Sequence, residues 1–205
     1  MSYFEFLMVL AGIVVAVAMT EIVGGFGRLV RSNAAIKLDG AHMLWSYNAL
    51  LLAMLYWNGM WPYQSVDIIY VGQIWLLVLP TLALVIVAYA LSPNAPDNNP
   101  INIREYYLRK RQPIFIGLAT FVSLAYLADY AIAGVHALQE LLTTLFSVTT
   151  FIVLAITVRI VVHWCLAVIM ALFLTSAGAQ SLAESYARFE PSHSSAQPAG
   201  STPLN

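Results

Sequence analysis

Charged residues and cysteine are both scarce in this chain of 205 residues. Asp, Glu, Lys and Arg together form 9% of it, whereas a soluble domain carries about 25% charged residues, so a soluble globular protein is excluded. Cys165 is the single cysteine, which excludes an internal disulfide. The formal net charge of −1 gives no basic excess that would indicate nucleic-acid binding.

The sequence also lacks the motifs of familiar catalytic sites. It contains no nucleophile elbow, phosphate-binding loop, zinc-ligand spacing or pair of catalytic carboxylates. We therefore predict a non-enzymatic protein with no catalytic residue, no metal and no cofactor. A membrane enzyme that uses scattered polar residues is the alternative, because it would leave little trace in the sequence.

Apolar residues, in contrast, make up 60% of the chain and are concentrated in long segments. A helix needs about 20 mostly apolar residues to cross a hydrocarbon core ~30 Å thick. The predicted spans are residues 4–30, 41–61, 66–91, 113–135, 140–159 and 161–180. The sequence thus predicts an all-α bundle of six transmembrane helices within residues 1–183, embedded in a lipid bilayer. Residues 184–205, rich in Ser, Pro and Ala, predict a disordered tail.

The division between the last two spans depends on Arg159. As one helix, residues 141–179 would be about 58 Å long, roughly twice the hydrocarbon core, and Arg159 with His163 marks a natural break. The alternative is five spans, in which the end of the chain forms one span and a surface helix. The carboxyl terminus would then lie in the cytoplasm.

Eight of the nine Lys and Arg residues fall on one side of a six-span protein. They are Arg28, Arg31 and Lys37 after the first span, Arg104, Arg109, Lys110 and Arg111 after the third, and Arg159 after the fifth. The positive-inside rule places this side in the cytoplasm. Both termini are then predicted to lie outside, and only Arg188 disagrees.

Two carboxylates within the predicted spans are candidates for a polar site. Glu21 lies about 10 Å inside Arg28, and span two brings Asn48 to a similar depth. Asp129 lies near the outer end of span four, where Gln73 is a possible companion. A carboxylate in hydrocarbon is costly unless it is paired, protonated or hydrated, so such residues often serve function. A purely structural role, with Glu21 neutral or hydrogen-bonded to Asn48, is the alternative.

His136, Asn58 and Pro80 extend this polar inventory. His136 and Asn58 are further possible companions of Asp129 near the outer surface. Pro80 predicts a kink in span three, because it frees the carbonyl group of Leu76 from the helical hydrogen-bond pattern.

Small residues and histidines form two further patterns. Gly12, Ala16, Thr20 and Gly24 recur at every fourth position of span one, a spacing that predicts close helix packing, within the bundle or between two copies of the chain. His42 and His163 each open a span on the cytoplasmic side. Two such imidazoles could hold a haem only if they faced each other, and no second pair supports that idea.

Four short motifs recur in a group of known sequences. They are Phe4-Glu5-Phe6-Leu7, Thr20-Glu21, Gly27-Arg28-Leu29 and His42-Met43-Leu44-Trp45. With these motifs the chain resembles small uncharacterised bacterial multi-pass membrane proteins. The resemblance implies a bacterial inner membrane but no activity, and it implies varied polar residues at the position of Glu21.

The leading functional prediction is an accessory or packing subunit of a membrane complex, or a small sensor. The loops are too short for a separate domain, and the polar residues are too few for evident chemistry. Expected partners besides lipid are a second copy of the chain or a larger membrane complex. The alternative is a small proton- or cation-coupled transporter or channel that uses Glu21 and Asp129.

Overall fold

The computed structural model describes residues 3–33, 35–65, 70–94, 100–134 and 138–189. Six α-helices account for most of them. They are α1 (Tyr3–Arg31), α2 (Gly40–Asn58), α3 (Val71–Leu91), α4 (Ile103–Ala133), α5 (Leu138–Ile156) and α6 (Ile160–Phe189). A 3₁₀ turn spans Trp61–Ser65, and two short strands, β1 (Ile36–Lys37) and β2 (Ile101–Asn102), pair in parallel.

Five of the six helices are long and apolar enough to cross a membrane. The candidate spans are Phe4–Arg31, Gly72–Leu91, Ile103–Ala133, Leu138–Ile156 and Ile160–Gln180. The predicted all-α membrane bundle is therefore confirmed. The number of candidate spans is five, the count of the alternative prediction, rather than six, although the last two candidates are separate helices with Arg159 between them.

Helix α2 is the one that does not qualify as a span by its own composition. It carries three buried polar residues, His42, Ser46 and Asn48, among its apolar ones. Trp45 and three alanines of the same helix have no exposed surface, because their face of α2 packs against other helices of the bundle. The neighbours of α2 are α1, α3, α4 and α6. The polar side chains lie on the face of α2 that packs against other helices, whereas Met43, Tyr47 and Met54 on its other face are about half exposed.

Three helix boundaries differ from the predicted ones. Helix α4 begins at Ile103 rather than at residue 113, because its first turns bury Ile103 and Tyr107 and Pro113 is accommodated within the helix. Helix α6 continues to Phe189, so the first residues of the predicted tail are helical. Helix α3 begins at Val71. Residues 66–69 and 190–205 lie outside the described residues.

Consecutive helices run in opposite directions, and contacts at one end of the bundle show this. The Phe26 and His42 rings lie 6.1 Å apart, which joins the end of α1 to the start of α2. Nε2 of His42 is 2.7 Å from the carbonyl oxygen of Leu91 at the end of α3. The hydroxyl of Tyr107, near the start of α4, is 2.6 Å from Nδ1 of His163 at the start of α6.

We call this end the basic end, because the helix and loop positions of eight Lys and Arg residues lie there. The opposite end, which we call the cavity end, holds the start of α1 and the start of α3. There the Phe4 and Trp61 rings are 6.0 Å apart, and Nε2 of Gln73 donates to the carbonyl oxygen of Ala131 over 2.7 Å. The β1–β2 pair joins the two long loops of the basic end.

Aromatic side chains fill the core between the two ends. Trp45, Phe115 and Phe151, from α2, α4 and α5, have no exposed surface. The Trp45 ring lies 4.9 Å from the Phe115 ring in an edge-to-face arrangement, and 6.0 Å from the Phe151 ring. Such pairs add about 0.5–1.5 kcal/mol each beyond their buried area. This cluster holds α4 and α5 against the buried face of α2.

Helices α1 and α3 approach closely at one glycine. A Cβ atom at Gly25 would lie 2.8 Å from Oγ and 2.9 Å from Cβ of Ser92. The Ser92 hydroxyl also donates to the carbonyl oxygen of Glu21 over 2.8 Å. Gly27, two residues further along α1, has open space at the corresponding point.

We predict that Gly25→Ala lowers the free energy of unfolding by about 1–3 kcal/mol, because the added methyl group must push α1 and α3 apart. The measurement is denaturation of the purified protein in one fixed detergent. Gly27→Ala is the matched control, since both changes remove glycine from the same helix and only one meets a neighbour. Equal stabilities of the two variants would contradict the described packing.

The alternating directions also place both ends of the described chain at the cavity end. Reporter domains fused before residue 1 and after residue 205 should therefore report the same side of the membrane, and the positive-inside rule predicts the outside. Paired fusions of a reporter active outside and a reporter active in the cytoplasm measure this. Opposite sides for the two fusions would be incompatible with six alternating membrane helices.

Candidate functional site

The candidate polar residues lie at two separate levels of the bundle. Glu21 lies near the basic end, and its Oε1 is 2.5 Å from Nη2 of Arg28, two helical turns along α1. Arg28 is 39% exposed and Glu21 is 19% exposed, so the ion pair is partly accessible. The predicted pairing of Glu21 with Asn48 is not formed. Pairing with Arg28 explains how this carboxylate is tolerated at its depth.

Asn48 instead joins α2 to α6. Its Nδ2 donates to the carbonyl oxygen of Ala167 over 3.0 Å, and its side chain is fully buried. Its Oδ1 has no hydrogen-bond partner among the residues of the described chain. Asn48 therefore has a clear role in helix packing.

The two histidines lie on either side of Tyr107 rather than facing each other. The ring centroid of Tyr107 is 6.1 Å from that of His42 and 5.3 Å from that of His163. Nε2 of His163 is 2.9 Å from the carbonyl oxygen of Thr157, so both nitrogens of this ring are engaged. His163 therefore has no free ring nitrogen to bind a haem iron. The described residues also contain no group of three or more side chains arranged to bind a metal ion.

Asp129 is placed in a different setting, at a cavity of about 880 Å³ at the cavity end. The cavity lies between α2, α4, α5 and α6. Two carboxylates line it, Asp129 from α4 and Glu140 from α5, together with the amide side chains of Gln139 and Gln180. No Lys, Arg or His occurs among the described residues that line it. The cavity is thus rich in hydrogen-bond acceptors and negative charge.

Tyr63 fixes the position of Asp129. Its hydroxyl donates to Oδ1 of Asp129 over 2.6 Å, which joins the turn after α2 to α4. Burial raises the pKa of the Tyr63 hydroxyl, and the hydrogen bond to Asp129 raises it further. The hydroxyl therefore remains a donor at all ordinary pH values.

The predicted companions of Asp129 are only partly assembled. Gln73 lies nearby but bonds to backbone groups, those of Tyr70 and Ala131. Asn58 lines a separate groove between α1, α2 and α6. His136 lies outside the described residues.

Pro80 is buried within α3, beside a hydrogen bond that crosses to α2. The Tyr56 hydroxyl donates to the carbonyl oxygen of Leu77 over 2.6 Å. Leu77 follows Leu76, whose carbonyl group lacks its helical hydrogen bond because Pro80 has no N–H donor. Tyr56 also lines the cavity, so the bond joins its wall to the proline-containing turn.

An apolar crevice of about 540 Å³ continues from the cavity between α5 and α6. Gln139 and Thr143 line both spaces, so the two are adjacent. A stripe of four polar residues on α5 faces the crevice: Gln139, Thr143, Ser147 and Thr150. Sequence analysis missed this stripe, although its spacing of four, four and three residues is the period of one helix face.

The small residues of α1 are spread over different surroundings. The Cβ position of Gly12 is 3.3 Å from Nε1 of Trp57, and Gly12 and Ala16 line the groove between α1, α2 and α6. Thr20 is exposed, and the nearest neighbour at Gly24 is the side chain of Arg28. The tightest approach of α1 occurs at Gly25, one position off the predicted ridge.

No known family model matches the chain, and no curated protein or solved structure is detectably similar to it. The resemblance to small bacterial membrane proteins therefore stays an expectation from the sequence. The function of the chain is therefore inferred from the geometry of the cavity and the crevice.

We predict that Tyr63→Phe lowers the free energy of unfolding by about 1–3 kcal/mol at neutral pH, because Asp129 loses a donor. Above about pH 10 the difference from wild type should shrink. The unfolded tyrosine releases its proton there, whereas the folded one, with its raised pKa, still retains it. Chemical denaturation at several pH values measures both effects.

Tyr89→Phe serves as the matched control, since Tyr89 is 60% exposed on α3. It should leave the stability unchanged within about 0.5 kcal/mol. If Tyr63→Phe behaved like this control at neutral pH, the hydrogen bond to Asp129 would not contribute to the fold.

Proposed function

We propose that this integral membrane protein is a non-enzymatic binding protein, acting as a small sensor or as an accessory subunit, that takes a small organic cation into the cavity. The single observation that carries the proposal is the pair Asp129 and Glu140 at one cavity, without a basic side chain among the described lining residues. A cation is the ligand that such an acceptor-rich site favours.

The size and character of the cavity support this proposal. Its volume of about 880 Å³ lies within the range of small-molecule sites. Tyr56, Tyr63 and Tyr126 add aromatic rings to the lining, and such rings attract cations through their faces. Tyr63 holds Asp129 in place before a ligand arrives, which reduces the cost of ordering the site.

The distribution of Lys and Arg residues supports one orientation of the bundle in the membrane. The positive-inside rule puts the basic end in the cytoplasm, so the cavity would open toward the outside of a bacterial inner membrane. A ligand from outside would then reach Asp129 and Glu140 without crossing the bilayer. This arrangement suits a sensor of external compounds.

A proton- or cation-coupled transporter or channel is the second candidate. The observation in its favour is that a partly accessible carboxylate lies toward each end, Glu21 at the basic end and Asp129 at the cavity end. The buried cluster of Trp45, Phe115 and Phe151 lies between these levels and would have to open for passage. Ion flux into liposomes that is lost in Asp129→Asn would favour this candidate over a sensor.

We predict that tetramethylammonium binds saturably to the purified protein in lipid nanodiscs. Asp129→Asn and Glu140→Gln should each weaken binding by about tenfold, equivalent to about 1.4 kcal/mol for one lost charge in a partly hydrated site. Titration calorimetry measures the affinity.

Glu105→Gln is the matched control, because Glu105 lies in the first turn of α4 at the basic end. It should bind like the wild type. If wild-type protein shows no saturable binding, or if the three variants lose affinity equally, the cavity is not a cation site.

A further inference from the structure

The crevice between α5 and α6 extends the cavity into the apolar part of the bundle, and we propose that the ligand is a cationic amphiphile. Its charged head would lie in the cavity between Asp129 and Glu140, and its alkyl chain would lie in the crevice. This inference rests on the proposed function and names the chemical class of the ligand.

The cavity and the crevice are continuous. Gln139 and Thr143 form a shared wall, with the carboxylates on one side and apolar side chains on the other. From Gln139 to Thr150 the crevice follows α5 for about 17 Å at 1.5 Å per residue. A molecule with one charged end and one long apolar end matches this division.

The crevice opens sideways toward the hydrocarbon. Helix α5 packs mainly on α4, and α6 packs mainly on α2, so α5 and α6 touch little along their length. Leu142 and Phe146 on α5, with Ile169 and Phe173 on α6, line the crevice while remaining about half exposed at the bundle surface. An amphiphile dissolved in the membrane can therefore enter with its chain already in an apolar medium.

The polar stripe of α5 provides hydrogen-bond acceptors along the crevice. Thr143 and Ser147 donate their hydroxyl hydrogens to the carbonyl oxygens of Gln139 and Thr143, one turn earlier. Their oxygen lone pairs remain as acceptors. Thr150 is 7% exposed, and its hydroxyl makes no hydrogen bond to another described residue.

These hydroxyl groups lead from the buried part of the crevice toward the carboxylates, and they offer mainly acceptors. The polarised C–H groups beside a quaternary nitrogen are weak donors that suit the end of this path nearest the carboxylates. An anionic lipid head would instead place its negative charge beside Asp129 and Glu140, which is unfavourable. Charge complementarity thus selects a cationic head over the anionic heads of common bacterial lipids.

The test compares three probes on the full chain in lipid nanodiscs, with the heats of protein-free nanodiscs subtracted. The probes are tetramethylammonium, dodecyltrimethylammonium, and a neutral dodecyl glycoside with the same chain. We expect dodecyltrimethylammonium to bind about a hundredfold more tightly than tetramethylammonium, since the chain buries apolar surface in the crevice. The neutral glycoside should bind much more weakly than the cationic probe.

Two leucines of α5 supply matched variants. Leu142 lines the crevice and is 56% exposed, whereas Leu145 is 53% exposed and does not line it. Leu142→Trp should fill the crevice and remove most of the advantage of the dodecyl chain while leaving tetramethylammonium binding intact. Leu145→Trp should change neither. Both positions are half exposed, so neither variant requires repacking of the core.

A photoreactive group at the end of the dodecyl chain locates the chain independently of affinity. Mass spectrometry should find the label on crevice residues such as Phe146 and Ile169, and Leu142→Trp should reduce it.

The outcomes separate this inference from the proposed function. If tetramethylammonium binds with the expected dependence on Asp129 but the dodecyl chain adds nothing, the amphiphile inference is wrong and the cation site stands. If the neutral glycoside binds as tightly as the cationic probe, the crevice takes membrane lipid without recognising a head group, and the inference is again wrong. Absence of any cation binding overturns both.

Discussion

The need to satisfy the polar groups of α2 organises the whole bundle. In hydrocarbon an unpaired polar group costs several kcal/mol, so the buried polar residues of α2 depend on hydrogen bonds within the protein, and Ser46 donates to the carbonyl oxygen of His42 in α2 itself. His42 reaches the carbonyl group of Leu91 on α3, and Asn48 reaches that of Ala167 on α6. Burial of one face of α2 by its neighbours therefore follows from its composition, while the opposite face exposes Met43, Tyr47 and Met54.

Helix α5 is largely separated from α6, its neighbour in the sequence. It packs on α4 and contributes Phe151 to the aromatic cluster, but it touches α6 little. The crevice and the cavity are the result of that separation. The proposed binding site thus lies where α5 and α6 are separated, while the basic end is held together by hydrogen bonds around Tyr107 and by the β1–β2 pair.

Much of the fold is predictable from the sequence, because apolar runs of span length have few alternatives in a membrane. The early start of α4 was missed because Arg109, Lys110, Arg111 and Pro113 look like loop residues, although Ile103 and Tyr107 bury one face of those turns. The partner of Glu21 depends on helix rotation, which apolar composition leaves open. Asp129 is recognisable in the sequence as a polar residue within a span, but its partner Tyr63 and the cavity depend on how four helices are placed relative to one another. The stripe on α5 was visible in the periodicity and was overlooked because its members are uncharged.

The hydrogen bond between Asn48 and Ala167 has a consequence for how the protein is made. The two residues are 119 positions apart, so a ribosome completes α2 long before it reaches α6. During that interval the side chain of Asn48 must be hydrated or held by the insertion machinery, since its final acceptor does not yet exist. The environment of α2 is therefore completed only after α6 has been synthesised and inserted.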